Sequence, residues 1–348
     1  MSGTSLDGVD VAMLRTDGEQ IFEFGPTAFR PHSEAERFQL RRALGQWPDG
    51  PAVATAAEVV EAAHIEALAQ LRGFDVVGFH GQTLAHDPAN ARTHQAGDGV
   101  TLAQKVGVPV VWDFRTNDVK LGGQGAPLSP IYHYALAQKA DMNGRVGFLN
   151  LGGVANITVV DISRAPEDGI LAFDTGPANA PIDDLVLAKT GARFDKDGAL
   201  AMAGTVDKKI VGQVLELPYF AQAAPKSLDR DDFGAVLKTL SQDTVEHGAA
   251  TLVSVIAQTV AHGIKDLGVD TVFVTGGGRR NPAIMSALED TLRCAVHDID
   301  TIGFDGDMLE AQAFAFLAAR VMAGLPTSFP KTTGAPYAIG GGQISQPN

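Results

Sequence analysis

The sequence predicts an α/β protein built from two lobes. Its 348 residues exceed the size that one hydrophobic core normally reaches, and strand-like and helix-like apolar patterns alternate along it. Three glycine-rich turns, at 3–8, 152–153 and 276–278, each border an apolar strand-like run. Because open α/β sheets bind ligands at such strand ends, the three turns predict a nucleotide held in a cleft between the lobes.

The first half of the chain begins with antiparallel strands. The runs Val9–Leu14 and Ile21–Phe29 flank a Thr16-Asp17-Gly18 turn and predict a hairpin. Further patterns predict helices at Ser33–Leu44, Ala52–Leu71 and Thr101–Val106, and strands at Val76–Phe79 and Pro109–Trp112. The loop Gly122–Pro127 is the expected boundary, so that residues 1–125 form the N-terminal lobe.

The second half repeats this order of elements. Val146–Leu151 and Ala155–Val160 predict another pair of strands around a glycine turn, which is consistent with an internal duplication. The remaining predictions are strands at Leu171–Phe173 and Thr271–Val274 and helices at Ser241–Leu267, Pro282–Arg293 and Asp307–Ala323. Residues 126–323 are the expected C-terminal lobe, and 324–348 are a tail that returns to the N-terminal lobe.

Composition narrows the class of partner. The net charge of −14 and the pI near 5.0 argue against nucleic acid or an anionic membrane as a standing partner. The single cysteine, Cys294, permits no intrachain disulfide, which fits a reducing compartment. No apolar run reaches the length of about 18 residues that a membrane span needs, and the expected location is the cytoplasm.

The stretch from Gly3 to Asp10 has the composition of a phosphate-binding turn. Two glycines let backbone N–H groups approach an anion, and Thr4 and Ser5 add hydroxyl donors. Asp7 and Asp10 add carboxylates, which beside phosphates are typical of a Mg²⁺ site. The alternative is an ordinary turn rich in small residues. The P-loop pattern is absent, and the glycines at 276–278 do not fit the dinucleotide fingerprint.

The chain resembles the anhydro-N-acetylmuramic acid kinase family, in the superfamily of actin, hexokinase and the heat-shock chaperone ATPases. The matching stretches, in family order, are Ser2–Asp10, Gly78–Thr83, Gln95–Asp98, Asp113–Arg115, Gly122–Pro127, Asn150–Ile157, Phe173–Pro177, Pro225–Ser227, Gly276–Gly278 and Glu310–Ala311. The resemblance implies a two-lobed actin-like ATPase fold, with a mixed sheet in each lobe and an interdomain cleft.

The sequence departs from the family pattern in a few places. A strand normally precedes the Gly-Thr-Ser motif, but only Met1 and Ser2 stand before it here. The first strand of the N-terminal lobe is therefore expected to be missing. Two smaller departures are Ala178, where glycine is frequent, and Asp229 after Lys226-Ser227.

The resemblance also implies a reaction. ATP, water and 1,6-anhydro-N-acetylmuramic acid give N-acetylmuramic acid 6-phosphate and ADP, a step of peptidoglycan recycling, with Mg²⁺ as cofactor. Asp174 is the implied base that activates water at the anomeric carbon, and its place at a strand end before a turn suits this role. An Asp before Gly-Pro is also typical of an Asx-turn. The protein is expected to be a homodimer.

The implied contacts fall into two groups. Those to ATP and its phosphates are Gly3, Thr4, Ser5, Leu6, Asp7, Gly8, Val9, Asp10, Asn150, Gly152, Gly153, Asn156, Lys226, Gly276, Gly277 and Gly278, with Asp7 and Asp10 also holding Mg²⁺, directly or through water. Those to the sugar are His80, Gln82, Asp113, Arg115, Asp118 and Glu310, with Arg115 on the lactyl carboxylate. Alternative cations are Arg230, Arg279 and Arg280; Lys226 also fits a surface lysine, and His80 a structural hydrogen-bonding residue.

Three other functions remain open at this point. An ordinary sugar or acyl kinase of the same superfamily would use Asp174 to deprotonate a substrate hydroxyl. A truncated form could be catalytically impaired by the missing strand. A nucleotide-switched module like actin or a chaperone is a non-catalytic alternative, but a chaperone's separate peptide-binding domain does not fit in 348 residues.

Overall fold

The computed structural model describes residues 1–3, 5–228, 240 and 243–347. The chain forms two compact units: unit 1 contains residues 1–141 and 308–348, and unit 2 contains residues 142–307. The first boundary thus lies between residues 141 and 142, and not at the predicted 125/126. The predicted helix 307–323 belongs to unit 1 and not to the C-terminal lobe, because its apolar face packs against strands of unit 1.

Unit 1 begins with a hairpin. Its elements, in chain order, are β1 (Gly8–Thr16), β2 (Ile21–Pro31), α1 (Glu34–Ala43), α2 (Val53–Leu68), β3 (Val77–Phe79), β4 (Gln82–Asp87), β5 (Arg92–Ala96), α3 (Gly99–Val106), β6 (Val110–Trp112), α4 (Thr116–Lys120) and α5 (Pro130–Lys139). β1 and β2 pair antiparallel, as do β4 and β5, whereas β3 and β6 pair parallel. The alternation in β1 buries Val9 and Val11 against α2.

Unit 2 is built on one mixed sheet. Its elements are β7 (Val146–Leu151), β8 (Val154–Val160), α6 (Pro166–Gly169), β9 (Ile170–Pro177), α7 (Asn179–Thr190), α8 (Ala199–Ala203), α9 (Lys208–Leu215), α10 (Val245–Ile264), β10 (Thr271–Thr275), α11 (Pro282–Thr291) and β11 (Ala295–Asp298). The strand order is β11-β10-β7-β8-β9, with β7, β10 and β11 parallel. The core of unit 2 includes Leu149, Ile157, Ile256 and Val274.

The chain then returns to unit 1. The last elements are α12 (Leu309–Met322), α13 (Pro330–Thr333) and β12 (Gln343–Ser345). α12 packs against β1, β3 and β6, and β12 pairs antiparallel with β6. The edge strand β12 of the three-stranded sheet β12-β6-β3 therefore lies more than 200 residues from its partner β6 in sequence.

The predicted class, an α/β protein of two lobes with a mixed sheet in each, is confirmed. Two predicted elements have different bounds. The strand predicted to end at Phe173 continues to Pro177 as β9, because residues 174–177 still pair with β8 across a bulge. The helix predicted from Ser241 is described as α10, with Thr244 as its N-cap, and positions 241 and 242 lie outside the described residues.

Candidate active site

Three polar side chains form a row across the sheet of unit 2. Asn150 on β7 pairs with Asn156 on β8, which pairs with Asp174 on β9. Directly opposed residues in antiparallel strands project from the same face of a sheet. All three are half-buried. The register therefore gathers two predicted phosphate-binding amides and the predicted base on one face.

Asp174 is held by a segment distant in sequence. Its backbone N–H donates to the carbonyl of Lys226 at 3.0 Å, and the Leu228 N–H donates to its Oδ2 at 2.8 Å. The Tyr219 hydroxyl donates to its backbone carbonyl at 2.5 Å. The Leu228 N–H thus fixes Oδ2, whereas Oδ1 has no hydrogen-bond partner within the described part of the chain.

Burial changes the acidity of this carboxyl. Desolvation raises the pKa of Asp174 from 3.8 to about 6, against the opposing effect of the Leu228 hydrogen bond. At pH 7 a group with this pKa is about nine-tenths ionised and is more basic than an ordinary aspartate. Asp174 thus has the properties of a general base. It lies at a bulge inside β9, and not at the end of a strand before a turn as the sequence predicted.

Lys226 is partly buried beside this segment. Its Nζ donates to the Tyr219 carbonyl at 3.1 Å and lies 4.4 Å from the centroid of the Tyr219 ring. Desolvation lowers the pKa of Lys226. A cation on an aromatic face is stabilised by the ring quadrupole. Lys226 therefore fastens the segment that holds Asp174, and it is not a freely solvated lysine.

The two glycine turns of unit 2 lie against each other. Thr275 at the end of β10 pairs with Asn150 near the end of parallel β7. Gly276 has φ +75°, and a Cβ there would lie 2.4 Å from Asn150 Oδ1; a Cβ on Gly278 would lie 2.6 Å from Leu151 Cβ. Only glycine permits this approach. The turns predicted to contact phosphates and adenosine are thus adjacent at one edge of the sheet.

Gly152 also contacts the start of a helix. Its carbonyl accepts hydrogen bonds from the N–H groups of Asn179 at 3.0 Å and Ala180 at 3.4 Å, at the N-terminus of α7. These bonds fix the β7–β8 turn, in which Gly153 is the neighbouring residue. The fixed turn leaves the half-buried amide of Asn150 between the two glycine loops.

The turn at residues 3–8 in unit 1 is tied to the strand after β3. Ser2 bridges to Val9 across the turn. Gln82 accepts a hydrogen bond from the Ser2 hydroxyl at 2.5 Å and donates to the Gly3 carbonyl at 3.2 Å. Gln82, predicted to bind sugar, is fully buried and supports this turn instead. Thr4 lies outside the described residues.

The acidic residues of this turn differ in their surroundings. Asp7 is exposed and accepts hydrogen bonds from the Ser5 hydroxyl at 2.6 Å and from the Gly8 N–H at 3.1 Å. Asp10 lies on β1, on the face opposite Val9. Leu6 has φ +55° and buries its side chain, which turns the chain sharply between these residues. No group of three or more metal-ligating side chains occurs among the residues with described positions.

His80 and Arg115 meet where β3 and β6 end. The buried His80 Nε2 accepts from Arg115 Nε at 3.1 Å and Nη2 at 2.9 Å, while Arg115 Nη1 donates to the Gly125 carbonyl at 2.7 Å. The other ring nitrogen of His80 therefore carries the proton and donates to the Gly81 carbonyl at 2.7 Å. Burial and the neighbouring guanidinium hold the pKa of His80 well below its ordinary value, so the ring is neutral.

Arg115 is a desolvated cation with neutral partners. Desolvation lowers its pKa to about 10, and Glu310 and Asp118 oppose this effect. Across the described ranges no carboxylate lies within ion-pair distance of it. A cation in such surroundings favours an anionic ligand. The predicted contact of Arg115 with a substrate carboxylate stays a prediction.

The other predicted sugar contacts have different surroundings. Asp118 is buried and accepts hydrogen bonds from the Gly125 N–H and from the Ser328 and Thr333 hydroxyls at 2.5–2.7 Å, so it binds protein groups. Asp113, at φ +53°, accepts from Thr116 and Gln343. It borders a cavity of about 30 Å³ together with His80. Glu310 lies on the first turn of α12, where desolvation raises its pKa and Arg115 opposes the rise.

Comparison with known proteins identifies the family. The sequence model of the family described as anhydro-N-acetylmuramic acid kinase matches residues 1–346. The chain is 55% identical to the anhydro-N-acetylmuramic acid kinase of Cereibacter sphaeroides, over 100% of this chain and 95% of that protein. It is 51% identical to the protein of the same name from Ruegeria, over 100% and 94%. The chain belongs to the anhydro-N-acetylmuramic acid kinase family.

One solved structure is also similar. It is a ROK family glucokinase from Streptomyces griseus in complex with glucose and AMPPNP, with a TM-score of 0.44 and 12% identity over 91% of this chain and 98% of that chain. The family resemblance drawn from the motifs is confirmed, and a kinase of a different family is not supported. In the described part of this kinase, no helix is long and apolar enough to cross a membrane.

Sequence reasoning missed several residues that shape the site of this kinase. Tyr219 and Leu228 contact Asp174 but belong to no strand-end motif. Arg279 was considered only as a cation for the substrate, although it is buried among carboxylates beside the glycine turn. The family motif Pro225–Ser227, which directly precedes Leu228, was the one available signal for this segment.

Proposed function

We propose that this chain phosphorylates 1,6-anhydro-N-acetylmuramic acid with ATP and opens its anhydro bridge with water. The products are N-acetylmuramic acid 6-phosphate and ADP. The observation that carries the proposal is the half-buried Asp174, with a pKa of about 6, one oxygen fixed by the Leu228 N–H and the other without a hydrogen-bond partner among the described residues. Two relatives named anhydro-N-acetylmuramic acid kinase, which match 100% of this chain, support it.

Asp174 acts as the general base in this proposal. It accepts a proton from water while the water oxygen bonds to the anomeric carbon C1. The bond from C1 to the bridging oxygen breaks, and its electron pair stays on O6. O6 then bonds to the γ-phosphorus as the bond to the β-phosphate oxygen breaks. One oxygen is thus leaving group and nucleophile in turn, so ring opening and phosphorylation are coupled.

The turns of unit 2 are proposed to contact ATP. The half-buried amides of Asn150 and Asn156 and the turn at Gly152 and Gly153 offer donors to phosphate oxygens. The backbone of the turn Gly276–Gly278 lies so close to Asn150 and Leu151 that only glycine fits there, and its N–H groups are proposed as further donors. Phosphoryl transfer depends mainly on such positioning and on charge neutralisation.

The turn at residues 3–8 in unit 1 is proposed to bind phosphate, with Asp7 and Asp10 as the carboxylates toward Mg²⁺. Mg²⁺ commonly takes one or two carboxylates together with substrate phosphate oxygens and water, and the two aspartates of this turn fit that donor set. When bound, Mg²⁺ neutralises the negative charge of the phosphates.

Arg115 and His80 are proposed to bind the sugar. Arg115 pairs with the lactyl carboxylate because a desolvated guanidinium gains most from an anionic partner. His80 stays neutral and orients Arg115 through its Nε2. Asp113 and Glu310 stay candidates for hydroxyl or acetamido contacts, whereas Asp118 and Gln82 support the surrounding backbone.

The decisive experiment follows the fate of water and of the sugar. In ¹⁸O-labelled water, the product should carry label on the C1 hydroxyl and none on the phosphate, with one ADP released per ring opened. N-acetylmuramic acid and N-acetylglucosamine should release ADP far more slowly. Equal rates with these open sugars would show an ordinary sugar kinase, and free N-acetylmuramic acid as a released product would refute the coupled scheme.

Two further properties stay predictions. A reaction that consumes ATP is expected in the cytoplasm, where fractionation of cells with an antibody to the chain would find it. The homodimer is tested by light scattering coupled to size exclusion, for which a mass twice 36.4 kDa is expected.

A further inference from the structure

Arg279 is a buried cation at the end of the Gly276–Gly278 turn. Its side chain is only 2% exposed and lies among three carboxylates. Nη1 is 2.8 Å from Asp307 Oδ1, Nη2 is 3.1 Å from Asp300 Oδ2, and Nε is 3.4 Å from Asp298 Oδ1. With its charge neutralised by protein, Arg279 is not available to a substrate anion.

The same guanidinium reaches the glycine turn. Arg279 Nη1 donates to the Gly276 carbonyl at 3.1 Å, and the Arg279 N–H donates to the same carbonyl at 3.3 Å. Gly276 has φ +75° and ψ 175°, and the two angles together set the direction in which its carbonyl points. One end of the turn is thus fixed, whereas Gly277 is exposed with open space where a Cβ would be.

The carboxylates that surround Arg279 are fixed in turn. Asp300 Oδ1 accepts from the Gly306 N–H at 2.7 Å, and a Cβ on Gly306 would lie 2.8 Å from Arg279 Nε. The Asp300 N–H donates to Asp298 Oδ1 at 3.0 Å. The loop 298–307 is therefore closed around the guanidinium. An arginine presents several donors in a planar fork, which a lysine cannot reproduce.

We propose that Arg279 is a positioning residue that holds the Gly276–Gly278 turn in the shape that receives the nucleotide, with Asp300 and Asp307 as its anchors. The inference rests on the proposed function, since it assigns the turn to ATP. It adds a determinant of nucleotide affinity that touches neither the nucleotide nor the sugar. Arg279 acts through the backbone of Gly276.

The test compares Arg279→Lys with Arg280→Met. Arg280 is adjacent, exposed, and pairs with Asp307 from the solvent side, so it is the matched control. Arg279→Lys keeps the charge but cannot reach the Gly276 carbonyl and two carboxylates together. We expect the Kd of a non-hydrolysable ATP analogue to rise about tenfold. The sugar KM and the kcat at saturating ATP should stay within about twofold, and Arg280→Met should change none of these values by more than twofold.

Hydrogen exchange gives a readout that does not need the nucleotide. The amides of Gly277 and Gly278 should exchange faster in Arg279→Lys, with strands β7 and β8 unchanged. If Arg279→Lys does not fold, Asp300→Asn is the second variant, because it replaces one carboxylate partner of Arg279 with an amide of the same shape. It should raise the Kd of the ATP analogue about threefold. An unchanged Kd in a folded variant would overturn the inference, as would equal losses of nucleotide and sugar affinity, which indicate a general structural role.

The failure of the inference is distinct from that of the proposed function. Wild-type chain that binds no ATP analogue would refute the proposed function and the inference together. If wild-type chain binds the analogue and folded Arg279→Lys binds it with the same Kd, the inference alone is refuted.

Discussion

Replacing Asp174 with asparagine should abolish catalysis and make the protein more stable. The asparagine side chain has nearly the same shape, and its Oδ1 can still accept the Leu228 hydrogen bond. It cannot accept a proton from water. Because a positioned general base commonly contributes 10²–10⁴-fold, we expect kcat to fall by about 10³-fold or more while the affinities for sugar and ATP stay nearly unchanged.

The gain in stability follows from the pKa. Folding raises the pKa of Asp174 from 3.8 to about 6, so the folded state disfavours the charged form. A shift of about two units corresponds to about 3 kcal/mol at neutral pH. The side chain is partly exposed, which reduces the expected gain to about 1–2 kcal/mol. Thermal unfolding at pH 7.5 should then occur about 2–6 °C higher in Asp174→Asn.

The pH dependence has a definite sign. The cost of the buried carboxylate is fully present above pH 6 and vanishes below about 4, so the stability difference should disappear over that range. The wild-type kcat/KM should fall about tenfold per unit below pH 6. Asp266→Asn, which removes an exposed carboxylate just after α10, is the control and should leave both profiles unchanged. More than a tenth of wild-type activity in Asp174→Asn would place the base elsewhere.

Three further substitutions test the other groups. Arg115→Met should raise the KM for the anhydro sugar about 10–100-fold, since a hydrogen bond to a charged group contributes about 1.5–3 kcal/mol; an unchanged sugar KM would exclude it as the carboxylate partner. Asp118→Asn should lower stability by about 2–3 kcal/mol, because an amide cannot accept all three hydrogen bonds; calorimetry that shows no loss would contradict its structural role. Gly276→Ala should weaken binding of an ATP analogue at least about tenfold, because it combines a positive φ with a 2.4 Å contact. Gly212→Ala is its control, because a Cβ at this position on α9 meets open space. Equal affinities of Gly276→Ala and Gly212→Ala for the analogue would show that the turn does not require glycine at position 276.

Local patterns in the sequence were enough for the class, the family and the glycine turns. Alternating apolar residues and a Thr-Asp-Gly turn predicted the β1–β2 hairpin, and the strand–glycine–strand pattern predicted β7–β8. These features depend on residues close together in the chain, since side-chain period and turn conformation are local properties. The motif set carried the family assignment, which the full-length match confirms.

The partners of each element were decided only by the tertiary structure. Nothing in the apolar face of α12 tells which sheet it covers, so the sequence assigned it to the C-terminal lobe, although it packs against β1 and β3. The strand ending at Phe173 was predicted too short, because pairing with β8, not local propensity, keeps residues 174–177 extended.

The side-chain roles show the same division. The sequence identified Asp174 and Arg115 by their place in motifs, but the pKa of Asp174 depends on its burial beside the segment from Tyr219 to Leu228. Asp118 has the residue type of a sugar ligand, yet its carboxylate accepts hydrogen bonds from hydroxyl groups some 210 residues away in sequence. Desolvation and hydrogen-bond satisfaction are properties of surroundings assembled from distant parts of the chain, and no local pattern encodes them.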